Sequence, residues 1–187
     1  KALQENGIEI DYVGGTSIGS IVASLFAMGY TTEEMLKLFK YFSKTIMKAD
    51  PKYYWTNVKT TKNFMGYGVL SGENIEIAIN ECAKEKGYKN IKDIEMPIAI
   101  PTVDIVECKK YVFTNRDIEG DYYIKDAPIS KAARASSSYP GVFAPCMYKG
   151  HKFVDGGILD NVPADEVKKL GVDKVLTLKF ATALNYD

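Results

Sequence analysis

The sequence is poor in histidine and cysteine, carries no excess of charge and has no long hydrophobic run. Its 187 residues include one histidine and three cysteines, and Lys plus Arg equals Asp plus Glu at 24 each. Cys82, Cys108 and Cys146 form no CxxC pair and leave one cysteine over, which predicts reduced thiols in a cytosolic setting. The charge balance gives no support for a nucleic-acid partner. The longest apolar run, residues 18–28, is far too short to span a bilayer.

Apolar strands alternate with helical patterns along the chain, which predicts one α/β domain whose sheet is covered on both faces. Thr31 and Glu34 have the spacing of a capping box, which places a helix start between them. The predicted helices are 18–28, 32–45, 73–86, 129–137 and 163–170. The predicted strands are 8–13, 96–105, 109–114 and 174–180, with a hairpin-like pair around 143–154. Residues 46–70 form an irregular, aromatic stretch.

Residues 15–19 have the pattern Gly-x-Ser-x-Gly between a predicted strand and a predicted helix. Such a turn exposes a serine hydroxyl at a helix N-terminus, and Gly15 and Gly19 would allow a close approach that a Cβ prevents. The N–H of Ile18 and the helix dipole would then face a developing oxyanion. Ser17 is therefore either a nucleophile or a serine in a structural turn, and the pattern alone leaves both readings open.

The proton of a nucleophilic serine needs an acceptor, and two residues are candidates. His151 lies four strand residues before Asp155, a span of about 13 Å, so these two side chains share a face but cannot touch. His151 could reach Ser17 from elsewhere, or it is a surface histidine after the turn at 149–150. Asp155 ends an apolar strand and precedes Gly156 and Gly157, which places it in the crevice where α/β folds bind ligands. Its alternative role is that of a turn-forming aspartate.

Several ordered stretches together resemble the patatin-like phospholipase family. They are GGTSIGS at 14–20, KAARASSSYPGVFAP at 131–145 and DGGILDNVP at 155–163, with further similarity at 68–79 and 96–105. The similarity covers nearly the whole chain in order. It implies a three-layer α/β fold with a central, mostly parallel sheet. It also implies a Ser-Asp dyad, with Ser17 as the nucleophile and Asp155 as the general base.

The resemblance further implies hydrolysis of ester-linked fatty acyl groups through an acyl-enzyme, with a lipid or fatty-acyl ester as substrate and no metal or cofactor. Two alternatives stay open at this point. One is a non-catalytic lipid- or acyl-binding module of the same fold, and the other is a Ser-His-Asp esterase that uses His151.

One departure from the family pattern concerns the oxyanion site. The family has a glycine-rich oxyanion loop after its first strand, and no such segment occurs in these residues. We therefore expect residues 1–187 to be a single patatin-like domain truncated at both ends. The first strand and the second oxyanion donor would then be missing, which leaves the Ile18 N–H as the donor.

Three further patterns each have a functional and a structural interpretation. The lysines and aromatic residues of segment 46–70 predict either a peripheral contact with an anionic membrane or a loop packed on the core. Residues 136–138, three consecutive serines, predict a close-packed turn rather than a second nucleophile. Asp104 and Glu107 have no partner pattern for a metal and are expected to be an exposed pair. The expected location is cytoplasmic, with a possible peripheral contact at a membrane.

Overall fold

In a computed structural model of the chain, residues 1–48 and 68–179 are described. The described helices are α1 (Ala2–Glu5), α2 (Ile18–Ala27), α3 (Thr32–Thr45), α4 (Glu73–Glu85), α5 (Ile129–Ser136) and α6 (Ala164–Lys169). The described strands are β1 (Val13–Gly14), β2 (Ile98–Asp104), β3 (Lys109–Thr114), β4 (Tyr123–Ile124), β5 (Cys146–Tyr148) and β6 (His151–Asp155). Within the described ranges, two single 3₁₀ turns occupy Ile91–Asp93 and Gly156–Ile158.

The described strands form one six-stranded sheet in the order β4-β3-β2-β6-β5, with β1 beside β2. The pairs β1–β2 and β3–β4 are parallel, whereas β2–β3, β2–β6 and β5–β6 are antiparallel. The sheet is therefore mixed, and the expectation of a mostly parallel sheet is corrected. Short connections account for two of the antiparallel pairs, because strands joined by only a few residues pair as a hairpin. Only 105–108 join β2 to β3, and 149–150 join β5 to β6 with positive φ at both residues.

The two faces of the sheet are covered by different helices, so the three-layer α/β class is confirmed. One face carries Ile98, Ile100, Phe113 and Phe153, which join the main hydrophobic core together with residues of α2, α4 and α5. Successive strand residues point to opposite faces. The other face includes Lys110, which forms an ion pair with Glu166 of α6. Every residue of β2 is buried, as expected for a strand with helices on both sides.

The helices agree with the sequence predictions to within two residues at each end. The capping box of α3 is present, because the Thr31 side chain accepts from the Glu34 N–H and the Glu34 carboxylate accepts from the Thr31 N–H. Helix α5 is almost entirely buried and contacts α2, α4, β2, β5 and β6. No helix in the described ranges combines the length and the apolarity that crossing a membrane requires.

Two strand predictions were wrong. The strand predicted over 8–13 is reduced to Val13–Gly14, and residues 174–179 have no regular secondary structure. A strand is stabilised by pairing and by burial of one face. Neither applies to 174–179, since no described strand pairs with this segment and Leu176 and Leu178 are 68% and 87% exposed. Residue 180, the last of that predicted strand, lies outside the described residues.

Candidate active site

Ser17 lies at the turn between β1 and α2 and is the N-cap residue of the helix. Its backbone has φ 57° and ψ −127°, a conformation that residues with a Cβ rarely adopt. Such a conformation costs on the order of 1–3 kcal/mol and persists only where the surrounding structure holds it. The sharp strand-to-helix turn predicted by the Gly-x-Ser-x-Gly pattern is therefore present, with its strain located at the serine.

The two glycines of this pattern have different surroundings. A Cβ on Gly15 would overlap the carbonyl group of Gly19, so the turn can close only with glycine at position 15. A Cβ on Gly19 would meet no atom within 4 Å. The prediction that close approach excludes a Cβ is therefore right for Gly15 and wrong for Gly19.

Asp155 is the last residue of β6, and its carboxylate lies beside the hydroxyl of Ser17. Ser17 Oγ donates a hydrogen bond of 2.5 Å to Asp155 Oδ2, and the Gly157 N–H donates one of 2.7 Å to Oδ1. A Cβ on Gly156 would collide with the carbonyl of Pro101 on β2, so this glycine lets the chain turn close against the sheet. The three residues Asp155, Gly156 and Gly157 thus bring a buried carboxylate to the serine, which is 138 positions away in the sequence.

The surroundings of Asp155 change its acidity. Burial raises the pKa of the Asp155 carboxyl above its ordinary value, and the hydrogen bonds from Ser17 and Gly157 oppose part of that shift. Because a carboxylate with a raised pKa holds a proton more strongly, it is a better proton acceptor than an exposed aspartate. The geometry therefore allows a proton to pass from Ser17 Oγ to Asp155 without a histidine.

The three serines at the end of α5 contact both Ser17 and Asp155. The Ser17 N–H donates to Ser136 Oγ at 3.0 Å, and Ser137 Oγ donates to the Ser17 carbonyl at 3.0 Å. The Asp155 N–H donates to the Ser138 carbonyl at 3.0 Å. All three serines are buried, so the expected close-packed turn is confirmed. Their contacts with Ser17 were missed, because they join residues 119 and 120 positions apart and have no local sequence signal.

Ile18 is the first residue of α2 and directly follows Ser17. The N–H groups of the first helical turn have no partner within the helix, and the helix dipole gives this end a partial positive charge. The Ile18 N–H is one of these amides at the start of the helix. It can therefore donate a hydrogen bond to an oxyanion that forms on a carbon atom bonded to Ser17 Oγ. The Ile18 residue as a whole is 53% exposed.

An apolar cavity of about 330 Å³ has Ser17 in its wall. Six buried or partly buried apolar side chains form much of the lining, from α2, α3, α4 and the segments beside α3 and α5: Ile21, Phe39, Phe42, Ile46, Ile75 and Phe143. Ile18, Met47 and Tyr139 also line it and are more than half exposed, so they lie where the cavity meets solvent. A cavity with this lining suits a hydrocarbon chain whose reacting end lies at the serine.

His151 is held by Asp104 rather than by a residue of the Ser17 site. Its Nδ1 lies 2.6 Å from Asp104 Oδ2 and 3.8 Å from Glu107 Oε1, and its ring stacks on Phe153. Burial works to raise the pKa of Asp104. The hydrogen bonds from His151 and from the N–H groups of Val106 and Glu107 outweigh this effect, and the pKa of Asp104 is lowered.

The expectation that Asp104 and Glu107 form an exposed pair is corrected for Asp104, which is 1% exposed. The structure places His151 between the two carboxylates, and the ligand atoms of these three residues all lie within 4.8 Å of one another. A group of this composition could hold a metal ion. In the described part of the chain, however, His151 Nδ1 and Asp104 Oδ2 are hydrogen-bonded to each other at 2.6 Å.

One predicted contact cannot be placed. Most of segment 46–70, for which a membrane contact was predicted, lies outside the described residues, since 49–67 are not described. Ile46, Met47 and Lys48 at its start and Gly68, Val69 and Leu70 at its end are described.

The comparisons with known proteins agree on one family. The family profile described as patatin-like phospholipase matches residues 1–168. The protein named lysophospholipase NTE1 of Meyerozyma guilliermondii is 30% identical to this chain over 190 residues, which cover 99% of the chain and 12% of the relative. The patatin-like phospholipase domain-containing protein 6 of Homo sapiens is 28% identical over 181 residues, covering 95% of the chain and 12% of the relative. The chain thus spans only about an eighth of the length of these curated relatives.

Proposed function

Because the chain belongs to the patatin-like phospholipase family, we propose that it is the catalytic domain of a serine lipid acyl hydrolase, with Ser17 and Asp155 as its dyad. The proposed reaction is hydrolysis of an ester bond between a fatty acyl group and a lipid headgroup or alcohol. The observation that carries this proposal is the 2.5 Å hydrogen bond from the strained Ser17 to the buried Asp155, beside an apolar cavity. We treat residues 1–187 as one domain in this proposal.

The proposed mechanism has two halves. In the first half, Asp155 Oδ2 takes the proton from Ser17 Oγ as the oxygen attacks the ester carbonyl, and the Ile18 N–H donates to the resulting oxyanion. The tetrahedral intermediate then breaks its bond to the leaving alcohol, which receives the proton from Asp155. In the second half, Asp155 removes a proton from water as the water attacks the acyl-serine, which forms a second tetrahedral intermediate. Asp155 then returns this proton to Ser17 Oγ as the bond between Oγ and the acyl carbon breaks and the fatty acid is released.

The proposed substrate class follows from the cavity. Its lining supplies apolar contacts for an acyl chain and few polar groups for a headgroup. The acyl chain rather than the headgroup would therefore determine which substrates bind. The exposed Ile18, Met47 and Tyr139 would then lie against the lipid surface from which the substrate is taken.

We also propose a cytoplasmic protein in peripheral contact with lipid. Cys82, Cys108 and Cys146 are free, which suits a reducing compartment, and cell fractionation tests this location.

The first prediction concerns the activity itself. The purified full-length protein should release fatty acid from lysophosphatidylcholine or phosphatidylcholine vesicles, and an alkyl fluorophosphonate probe should label it once per chain, at Ser17. The Ser17→Ala variant should lose both the labelling and the release. The measurements are titration of free fatty acid and mass spectrometry of the labelled peptide.

Two outcomes would contradict the proposed function in different ways. Vesicle binding without labelling or hydrolysis would favour a lipid-binding module of the same fold. Labelling at Ser17 with hydrolysis of short soluble esters alone would leave the dyad in place and remove the lipid substrate class.

The second prediction concerns pH. Asp155 accepts a proton only when it is ionised, and burial raises its pKa from the ordinary value of 3.8. A raised pKa means that the carboxyl stays protonated to a higher pH, so kcat/KM should fall on acidification with a midpoint above 3.8. The profile should be recorded with a soluble p-nitrophenyl ester, while far-UV circular dichroism verifies that the protein remains folded.

The matched control for the pH profile is His151→Asn, which removes the only histidine. The acid midpoint should be unchanged in this variant, because His151 is paired with Asp104 and not with Ser17. A midpoint that disappears or moves with His151→Asn would assign the titration to histidine and exclude Asp155 as the base.

A further inference from the structure

We propose that Ser136 and Ser137 are positioning residues that hold Ser17 in its strained conformation and aim the Ile18 N–H at the oxyanion. This inference rests on the proposed function, since it concerns the geometry of the Ser17 nucleophile. Neither serine is assigned a role in the chemical steps above. We call the hydroxyl groups of Ser20, Ser136 and Ser137 the serine clamp.

The serine clamp forms hydrogen bonds with the backbone of Ser17 on both sides of its Cα. On the amide side, the Ser17 N–H donates to Ser136 Oγ at 3.0 Å. On the carbonyl side, Ser137 Oγ donates to the Ser17 carbonyl at 3.0 Å and Ser20 Oγ donates to it at 2.6 Å. The Ser20 and Ser137 hydroxyls are also 3.3 Å apart. Because both flanking peptide groups are held, φ and ψ of Ser17 cannot relax without breaking hydrogen bonds.

The carbonyl side of the serine clamp also determines where the Ile18 N–H points. The Ser17 carbonyl and the Ile18 N–H belong to one planar trans peptide group, in which C=O and N–H point in opposite directions. Hydroxyl donors that fix the carbonyl therefore fix the N–H. An oxyanion donor is effective only when it is already aimed at the position that the oxyanion will occupy. A serine that never touches the substrate can therefore change the stability of the tetrahedral intermediate.

The position of the serine clamp in the fold makes it a rigid support. Ser136 and Ser20 are 0% exposed and Ser137 is 6% exposed, so water does not compete effectively for these hydrogen bonds. Ser136 and Ser137 end α5, a helix buried against α2, α4 and the sheet. The next residue, Ser138, accepts from the Asp155 N–H at 3.0 Å. One buried segment thus supports the nucleophile and the backbone of its base.

The test compares Ser137→Thr with Ser137→Val, two side chains of nearly the same shape of which only threonine has a hydroxyl. Ser137 lines the cavity, which offers space for the added methyl group. Ser137→Val should lower kcat by about tenfold, less than the roughly 10²–10³ that loss of a whole oxyanion donor costs, because the hydroxyl and the N–H of Ser20 still donate to the Ser17 carbonyl. Ser137→Thr should keep most of the activity, and KM should change little in either variant.

A second measurement distinguishes a change in the direction of the Ile18 N–H from a general loss of stability. A boronic acid forms a tetrahedral adduct with Ser17 Oγ, so its affinity should fall in Ser137→Val by the same factor as kcat/KM. Ser136→Ala should show the same pattern with a lower melting temperature, since it leaves the Ser17 N–H without its acceptor. The control is Ser24→Ala, which removes another fully buried serine of α2 whose hydroxyl donates to the Ser20 carbonyl. Its turnover should match the unmodified protein.

The proposal is overturned if Ser137→Thr and Ser137→Val have equal turnover, or if boronic acid affinity stays constant while kcat falls. Equal losses in Ser24→Ala would also overturn it, because the effect would then belong to packing of α2. Failure of the proposed function gives a different result. An unmodified protein without labelling or turnover removes both proposals, whereas labelling at Ser17 with equal Thr and Val variants removes only the serine clamp.

Discussion

Replacing Asp155 with asparagine should lower kcat by about 10³–10⁴-fold, the range in which loss of a catalytic partner of serine falls in other hydrolases. Asparagine has the shape of aspartate and can still accept a hydrogen bond from Ser17, but it cannot take up the proton at neutral pH. The Ser17→Ala variant and the double variant should show losses of similar size. Effects within one catalytic unit do not add, because the second substitution removes nothing that is still working.

The control for the dyad is His151→Asn, which should retain most of the turnover. This comparison separates the dyad from a Ser-His-Asp triad, since a triad requires a large loss at His151. Turnover should be measured on a soluble ester after thermal melting has verified that each variant is folded. If Asp155→Asn kept more than about a tenth of the activity, Asp155 would not be the general base.

Features fixed by neighbouring residues could be predicted from the sequence. The capping box of Thr31 and Glu34 determines where α3 begins, and both hydrogen bonds are present. The turn at Ser17 follows from a local pattern of glycines, a strand and a helix. The position of Asp155 at the end of a strand could likewise be predicted, because an apolar run followed by two glycines is a short-range signal.

Features fixed by distant residues could not be predicted from the sequence alone. Burial of Asp104 depends on the hydrogen bond from His151, 47 positions away, and a local pattern of two acidic residues suggests exposure instead. The antiparallel pairing of β6 with β2 joins strands that are far apart in the sequence, and nothing in β6 itself specifies that partner. The contacts of Ser136 and Ser137 with Ser17 are likewise long-range. Three adjacent serines indicate a turn, but they do not indicate which backbone the hydroxyls hold.

The environments of the two motif glycines lead to opposite expectations for the same substitution. Gly15→Ala should lower ester turnover by a factor of about 10² or more, because the new Cβ collides with the Gly19 carbonyl and displaces Ser17 from Asp155. The collision is with backbone and not with a flexible side chain, so the loss of stability should be at least the roughly 1–3 kcal/mol of an overpacked core. The measurements are the melting temperature, fluorophosphonate labelling of Ser17 and ester turnover.

Gly19→Ala is the matched control, since it makes the same chemical change four residues later in the same motif. Its Cβ meets no atom within 4 Å, and position 19 lies inside α2, where alanine favours the helix over glycine by roughly 0.5–1 kcal/mol. This variant should therefore melt at a higher temperature than the unmodified protein and keep its labelling and turnover. Equal losses in the two variants would mean that the close approach of Gly15 to Gly19 does not determine the turn. A Gly15→Ala protein that still reacts with the probe would show that Ser17 keeps its strained conformation without that approach.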